Sequence, residues 1–345
     1  MKKLCILFLT LTMAANALAV IDFSADARVR PRLATTVDVD ANGDETGSSS
    51  DMYWLYRARI YARSEMDGGF YWAAKLGHEG VADFSKMGSA GTNQVDWMNA
   101  YFGRKTDNHS WMLGRIPCKS NVLMDMHFYP LSPVGIPFLL FHNLSLTGVK
   151  ASFNVGPGTA FALYSVDENN HHTDIDGTTA TYMDRSTFGG GYAFAVAGTK
   201  VVAQLLYTLG EDTGDYYDSN GILIATLDHY NPMTYGAYVY PTIAGFKLSL
   251  GGGMTAEADD AYTGMAYHAG VKKALGPGML NFFYDGSSMD WDGATETGMF
   301  IWLDYAVKYG PVTIKPTWRM KKCIADNDAY TTTHFFELTT EIKVK

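Results

Sequence analysis

Arginine recurs on alternate positions in two stretches of this chain. In IDFSADARVRPRLA, which begins at Ile21, Arg28, Arg30 and Arg32 share one parity while Ala27, Val29 and Pro31 hold the other. In WLYRARIYARSE, which begins at Trp54, Arg57, Arg59 and Arg63 alternate in the same way with Ala58, Ile60 and Ala62. Extended chain sends alternate side chains to opposite faces, so six guanidinium groups would line one face of two segments. Such a surface attracts anions and orients polar solutes through planar, permanently charged donors. Two further groups could hold a metal. DVDANGDE offers Asp38, Asp40 and Asn42 at calcium-loop spacing with Gly43 for the turn, but its twelfth position is Ser49 and no helices flank it. HHTDID, His171 to Asp176, has metal-capable side chains without a scaffold to fix them. There is no Gly-x-Ser-x-Gly elbow and no phosphate-binding loop.

Residues of this kind need an element with two unlike faces. Sixteen segments alternate apolar with polar or small residues: 21–34, 52–66, 69–82, 95–106, 109–117, 144–155, 159–168 and 187–197 in the first half. The second half adds 199–209, 232–241, 245–255, 261–273, 278–285, 297–309, 311–321 and 332–345. Phe246, Leu248 and Leu250 alternate with Lys247, Ser249 and Gly251; Phe336, Leu338, Ile342 and Val344 alternate with Glu337, Thr339, Glu341 and Lys343. Period-two patterning of this length predicts strands. Seven connections are short and turn-like: MDGG, KTDN, VGPG, AGT, PTIAG, ALGPG and YGP. The others, 35–51, 83–94, 118–143, 169–186, 210–231, 256–260, 286–296 and 322–331, are generally longer and polar or acidic. Short and long connections in alternation predict an all-β, transmembrane antiparallel β-barrel of about sixteen strands, with short periplasmic turns and long external loops.

Composition agrees. Aromatics make up 14% of the chain, charged residues only 18%, and 35 glycines stand against 11 prolines. MKKLCILFLTLTMAANALA has two lysines, an apolar run from Leu4 to Met13 and a small-residue site at Ala17-Leu18-Ala19. It reads as a signal peptide over 1–19, leaving 20–345 as one barrel domain. Its removal takes Lys2 and Lys3 away, so the formal net charge of −9 becomes about −11. No later apolar run reaches the length of a spanning helix. Cys118 and Cys323 remain, and the sequence leaves open whether they pair.

In such a barrel one strand face meets lipid and the other the lumen. An arginine in lipid at the bilayer midplane costs roughly 2–4 kcal/mol, so Arg28, Arg30, Arg32, Arg57, Arg59 and Arg63 are expected to point inward. Inward acids such as Asp22, Asp26 and Glu79 could pair with them, which is compatible with a functional role. Sixteen strands enclose a water-filled channel, so wall charges meet permeating solutes. No cofactor is expected, and the acidic external loops could hold a loosely bound divalent cation bridging surface lipopolysaccharide.

On this pattern, and on the fragments NAYFG, LGRIP and TGVKASFN that match its fourth to sixth strands, the chain resembles a Gram-negative general porin of the sixteen-stranded, trimeric kind. The resemblance implies a homotrimer in the outer membrane whose third external loop folds into the barrel opposite an arginine cluster. Here the third connection, 118–143, is the longest of the eight and contains the apolar run VLMDMHFYPLSPVGIPFLLF. It would present Asp125, His127 and Tyr129 to the constriction. Where the family shows several carboxylates this loop has only Asp125, so the usual mild cation preference is not expected. The match through LGRIP implies that Arg115 also points inward. A loop lying in the membrane interface or at a subunit contact is the alternative reading of 118–143. The family's terminal phenylalanine is replaced by Val344-Lys345.

The expected function is an outer-membrane diffusion channel that passes small hydrophilic solutes and ions, with no nucleic-acid partner and no catalysis. The alternatives are a channel selective for a small anion and an outer-membrane phospholipase. FHNLSLTG, with His142 and Ser145, resembles the phospholipase family, but that family's serine follows its histidine by two residues and its barrels have twelve strands.

Overall fold

The computed structural model describes residues 21–78, 85–86, 95–117, 145–168, 184–209, 214–217, 223–227, 233–256, 262–291 and 294–344. The signal segment 1–19, Glu79 and Cys118 lie outside them. Sixteen long strands run through the described residues. The first eight are β1 (Ile21–Val39), β2 (Glu45–Glu65), β3 (Phe70–His78), β4 (Asp96–Lys105), β5 (His109–Pro117), β6 (Ser145–Val155), β7 (Gly158–Glu168) and β8 (Asp184–Val196). The second eight are β9 (Thr199–Leu209), β10 (Met233–Tyr240), β11 (Phe246–Ala256), β12 (Tyr262–Leu275), β13 (Gly278–Trp291), β14 (Ala294–Tyr309), β15 (Val312–Ile324) and β16 (Tyr330–Val344). Each pairs antiparallel with the next, and β16 pairs back onto β1 from Ala25↔Val344 to Val39↔Tyr330. The barrel is closed. Ser85–Lys86 adds to β2, Thr242–Ile243 to β11, and a small separate hairpin, Gly214–Tyr217 with Leu223–Leu227, sits between β9 and β10 in the chain.

Closure pairs backbone groups that would otherwise meet lipid unsatisfied. The side chains then sort by parity. Phe23, Leu33, Ile60, Leu250, Phe282, Leu303 and Phe336 are exposed on the outer face, where a bilayer takes the place of water. Asp26, Arg30, Arg57, Asp285 and Glu337 are buried on the inner one. The turns follow the strand twist. Between β8 and β9, Ala197 (φ 49°) and Gly198 (φ 77°) are both left-handed, the type I′ geometry that matches two right-twisted strands. Pro31 interrupts one ladder: pairing of β1 with β16 stops at Val29↔Thr340 and resumes at Arg32↔Glu337, because proline has no N–H to give.

Several connections expected as external loops are strand. β1 and β2 span 19 and 21 residues and pair from Thr35↔Ser50 up to Val39↔Glu45, so the expected loop 35–51 shrinks to 40–44. Likewise 286–291 belongs to β13, 294–296 to β14, and 322–324 and 330–331 to β15 and β16. The ladder is indifferent to side chains, whereas alternation shows only where one face touches lipid. Beyond the membrane both faces are wet, and the pattern fades while the hydrogen bonds continue.

Candidate functional site

Register brings the arginines together. Arg28 lies directly across from Arg57, and Asp26 across from Arg59, on the inner face of β1 and β2. Opposed cations repel by about 1 kcal/mol at 4 Å even in water, so the sector needs acids. The closing strand supplies them: Arg32 pairs with Glu337 and Arg28 with Glu341 across β1 and β16.

Glu337 is the hub. Its side chain is fully covered and accepts from Arg32 Nε at 2.5 Å, lies 3.5 Å from Arg30 Nη1, and also receives Arg319 of β15. Arg30 Nε donates to Thr339 Oγ1 at 2.8 Å, and Arg32 Nη1 to the Tyr53 hydroxyl at 3.1 Å. Arg28 meets Glu341 at 2.7 Å. On the other side Asp26 accepts from the Tyr61 hydroxyl at 2.5 Å and from Arg57 at 3.4 Å. Aromatic faces hold the guanidinium planes: Arg32 lies over Tyr53 and Phe335, and Arg319 over Trp302 and Phe335. The result is an ordered wall in which, among the described residues, Arg28, Arg30, Arg32, Arg57 and Arg319 are in ion pairs with Asp26, Glu337 and Glu341.

Six of the seven expected basic residues are therefore on the inner face. Arg63 differs from the rest, being half exposed and paired with Glu65 of its own strand at 2.7 Å, near the short turn Asp67–Gly69. The seventh, Arg115, is a correction. It pairs in register with Ala100 and Thr147, on the face where Leu113 and Phe102 are exposed, and so points outward. The inward parity of β5 is that of Met112 and Ile116. Sequence reasoning named Asp26 as an acid of the wall but did not assign Glu337, Glu341 or Arg319 to it. Closure itself was the available signal, since an even-stranded barrel sets its last strand beside its first.

The metal candidates Asp38 and Asp40 accept hydrogen bonds from neighbouring residues. Asp38 accepts from Thr331 Oγ1 at 2.6 Å across the β1–β16 seam. Asp40 accepts the amides of Asn42 at 2.8 Å and Asp44 at 3.0 Å in the 40–44 turn. Those bonds, that from Asp44 foremost, hold its carboxyl below the usual range. Asp125, His127 and Tyr129 lie outside the described residues, as do His142, Cys118 and His171 to Asp176. Cys323 is a half-buried free thiol on β15.

A second inner sector is apolar. Ile116, Leu146, Leu163 and Leu206, from β5, β6, β7 and β9, are on the inward parity yet nearly fully buried, with Tyr101, Met112 and Phe161 packed on them.

Against solved structures the barrel matches outer-membrane porins over nearly its whole length. The anion-selective porin from Comamonas acidovorans has 10% identity and a TM-score of 0.61, covering 94% of this chain and 100% of that one. OprB of Pseudomonas putida has 12% identity and a TM-score of 0.60, covering 97% and 96%. This chain has the porin fold. OmpT of Vibrio cholerae in its trimer form matches at 11% identity and a TM-score of 0.56, over 94% and 99%. No protein-family model and no curated protein matches the sequence. A porin fold with a lipid-facing apolar girdle is that of an outer-membrane protein of a Gram-negative bacterium, and its arginine sector faces the lumen.

Proposed function

We propose that the protein is a diffusion channel for small hydrophilic solutes and ions, narrowed by segment 118–143 and leaning toward anions. The observation that carries the reading is the concentration of Arg28, Arg30, Arg32, Arg57, Arg59 and Arg319 on one inward sector, where Asp26, Glu337 and Glu341 are the acids paired with them among the described residues. Fixed charge on a low-dielectric wall raises the local concentration of counter-ions and orients dipolar solutes.

The apolar inner sector supports the narrowing. Leucine and isoleucine on the water side of a barrel need an apolar cover, and segment 118–143 connects β5, which ends at Pro117 beside Ile116, to β6, which begins at Ser145 beside Leu146. Burial of such side chains is worth roughly 1.5–3 kcal/mol each, which offsets the entropy of ordering the segment. A homotrimer is the assembly, in keeping with the trimer form of the Vibrio cholerae structure. The outward Arg115 supports it, since that face is better placed against another subunit than against lipid. The external acids would meet divalent cations and lipopolysaccharide. A channel selective for one small anion is the second reading, favoured by the same concentration of arginines.

Single-channel recording in planar bilayers, with liposome swelling alongside, tests the proposal. Ohmic, non-saturating conductance and broad sugar entry are expected, from a barrel whose unheated gel band runs near trimer size. Current that saturates with a single solute would replace the first reading by the second. A folded barrel that conducts nothing would overturn both.

A further inference from the structure

Away from the arginine wall, three adjacent strands bring together a serine, a histidine and an aspartate. Ser249 of β11, His268 of β12 and Asp285 of β13 all lie on the inner face, with Gly251 across from His268 and His268 across from Asp285. Ser249 Oγ is 2.8 Å from His268 Nε2, and His268 Nδ1 is 2.5 Å from Asp285 Oδ1. Asp285 is completely buried and His268 nearly so. A buried carboxylate against Nδ1 fixes the tautomer that donates there and leaves the Nε2 lone pair toward the serine hydroxyl. That is the relation of nucleophile, base and orienting acid in serine hydrolases.

The surroundings are shaped for it. Gly270, in line between the pair, has no left-handed φ that would demand glycine, yet a methyl there would overlap Ser249 Oγ and lie 2.8 Å from His268 Nε2. Glycine is thus required by the Ser249–His268 hydrogen bond. Phe283 and Tyr238 close the imidazole in, with ring centroids 5.6 and 6.5 Å away. Ser249 and His268 open on a cleft of about 420 Å³ in the barrel wall, also lined by Lys247, Lys272, Asn281, Phe283 and Trp302. That volume suits a small molecule. Lys247 and Lys272 face each other in register and are exposed to the lumen.

We propose that Ser249, His268 and Asp285 form a hydrolytic site within the lumen, acting on small esters that carry a negative charge. Ser249 Oγ attacks the ester carbonyl carbon as its proton passes to His268 Nε2. The ester C–O bond then breaks, and His268 returns the proton to the departing alkoxide, releasing an alcohol. Water attacks the acyl-Ser249 carbonyl, giving a proton to His268, which hands it back to Ser249 Oγ as the acid leaves. Asp285 holds the imidazole and stabilises its cationic form. The ammonium groups of Lys247 and Lys272 bind the substrate's charge and favour the oxyanion.

The test uses the full-length folded barrel, with each variant checked for its heat-dependent gel shift. A fluorophosphonate probe is expected to add one covalent label, mapped by mass spectrometry to Ser249. Ser249→Ala should abolish it. Gly270→Ala, which leaves all three side chains present, should slow labelling at least ten-fold, and His268→Ala on the order of 10²-fold or more. Hydrolysis of mono-4-nitrophenyl succinate should fall at least ten-fold in Lys272→Met, several-fold further than that of 4-nitrophenyl acetate, which lacks the carboxylate. An unlabelled Ser249 in a folded barrel, or a Ser249→Ala variant that hydrolyses at the native rate, would reduce the three residues to a static polar bridge. Conductance recorded on the same preparations tests the channel reading separately, since neither result depends on the other.

Discussion

Replacing Glu337 by glutamine isolates the charge of the hub from its shape. The amide keeps a carbonyl oxygen for Arg32 and Arg319, so the geometry of the wall is largely retained while one negative charge disappears. In water a unit charge acts on an ion passing about 8 Å away with roughly 0.5 kcal/mol. Screening at 0.1 M, where the Debye length is about 10 Å, leaves about half of that. Loss of the charge favours chloride and disfavours potassium by roughly 1.5-fold each, so the chloride-to-potassium permeability ratio should rise about two-fold. At 1 M the Debye length is about 3 Å and the change should vanish. Removing one partner of a fully covered network also costs on the order of 3 kcal/mol, which should lower the temperature of the gel shift without abolishing the folded band. The measurement is the zero-current potential across a KCl gradient at both salt levels. A folded Glu337→Gln barrel with unchanged low-salt selectivity would mean that the arginine sector does not border the ion path.

Two other outcomes follow from named residues. Deleting residues 124–138 should raise single-channel conductance and admit larger sugars while the barrel still forms; unchanged conductance would place that segment outside the pore and leave Ile116 and Leu206 to be covered by something else. The Asp40 turn should be sensitive to acid. Its carboxyl is held below the ordinary value by the Asp44 and Asn42 amides, so its contribution is present above the unfolded carboxylate pKa and is lost as pH falls through the lower folded one. Amide protection at Asn42 and Asp44 should drop below about pH 4 in the native chain and be low at every pH in Asp40→Ala.

What was legible in the sequence was whatever one strand carries by itself. Arg28, Arg30 and Arg32 declare their common face by spacing alone, and lipid on the other side fixes which face that is. Strand number and the alternation of turn and loop followed from the same period. The ends of β1 and β2 did not, because above the membrane Thr35, Thr36, Ser49 and Ser50 pair as well as any residues without a two-faced pattern. Arg115 is set inward by the match through LGRIP, and the pattern of β5 itself carries no signal against it. Trp111 and Leu113 on one parity of β5 and Met112 and Ile116 on the other are all apolar, since the inner wall is itself apolar in that sector. Hydrophobicity has nothing to discriminate there.

What was not legible is everything that exists only across strands. Arg30 and Thr339 are 309 positions apart and meet because the barrel closes; no window along the chain contains both. Ser249, His268 and Asp285 each look like one more inward polar residue in an alternating strand, and a motif search keyed to a nucleophile elbow passes over them. Their chemistry depends on register: a slip of one residue between β11 and β12 would turn His268 to lipid and separate it from both partners. The same holds for the arginine hub, where Glu337 serves three guanidiniums from two neighbouring strands. A barrel wall is a two-dimensional lattice written in one dimension. Its lumen chemistry becomes readable once the pairing of each strand with the next is known.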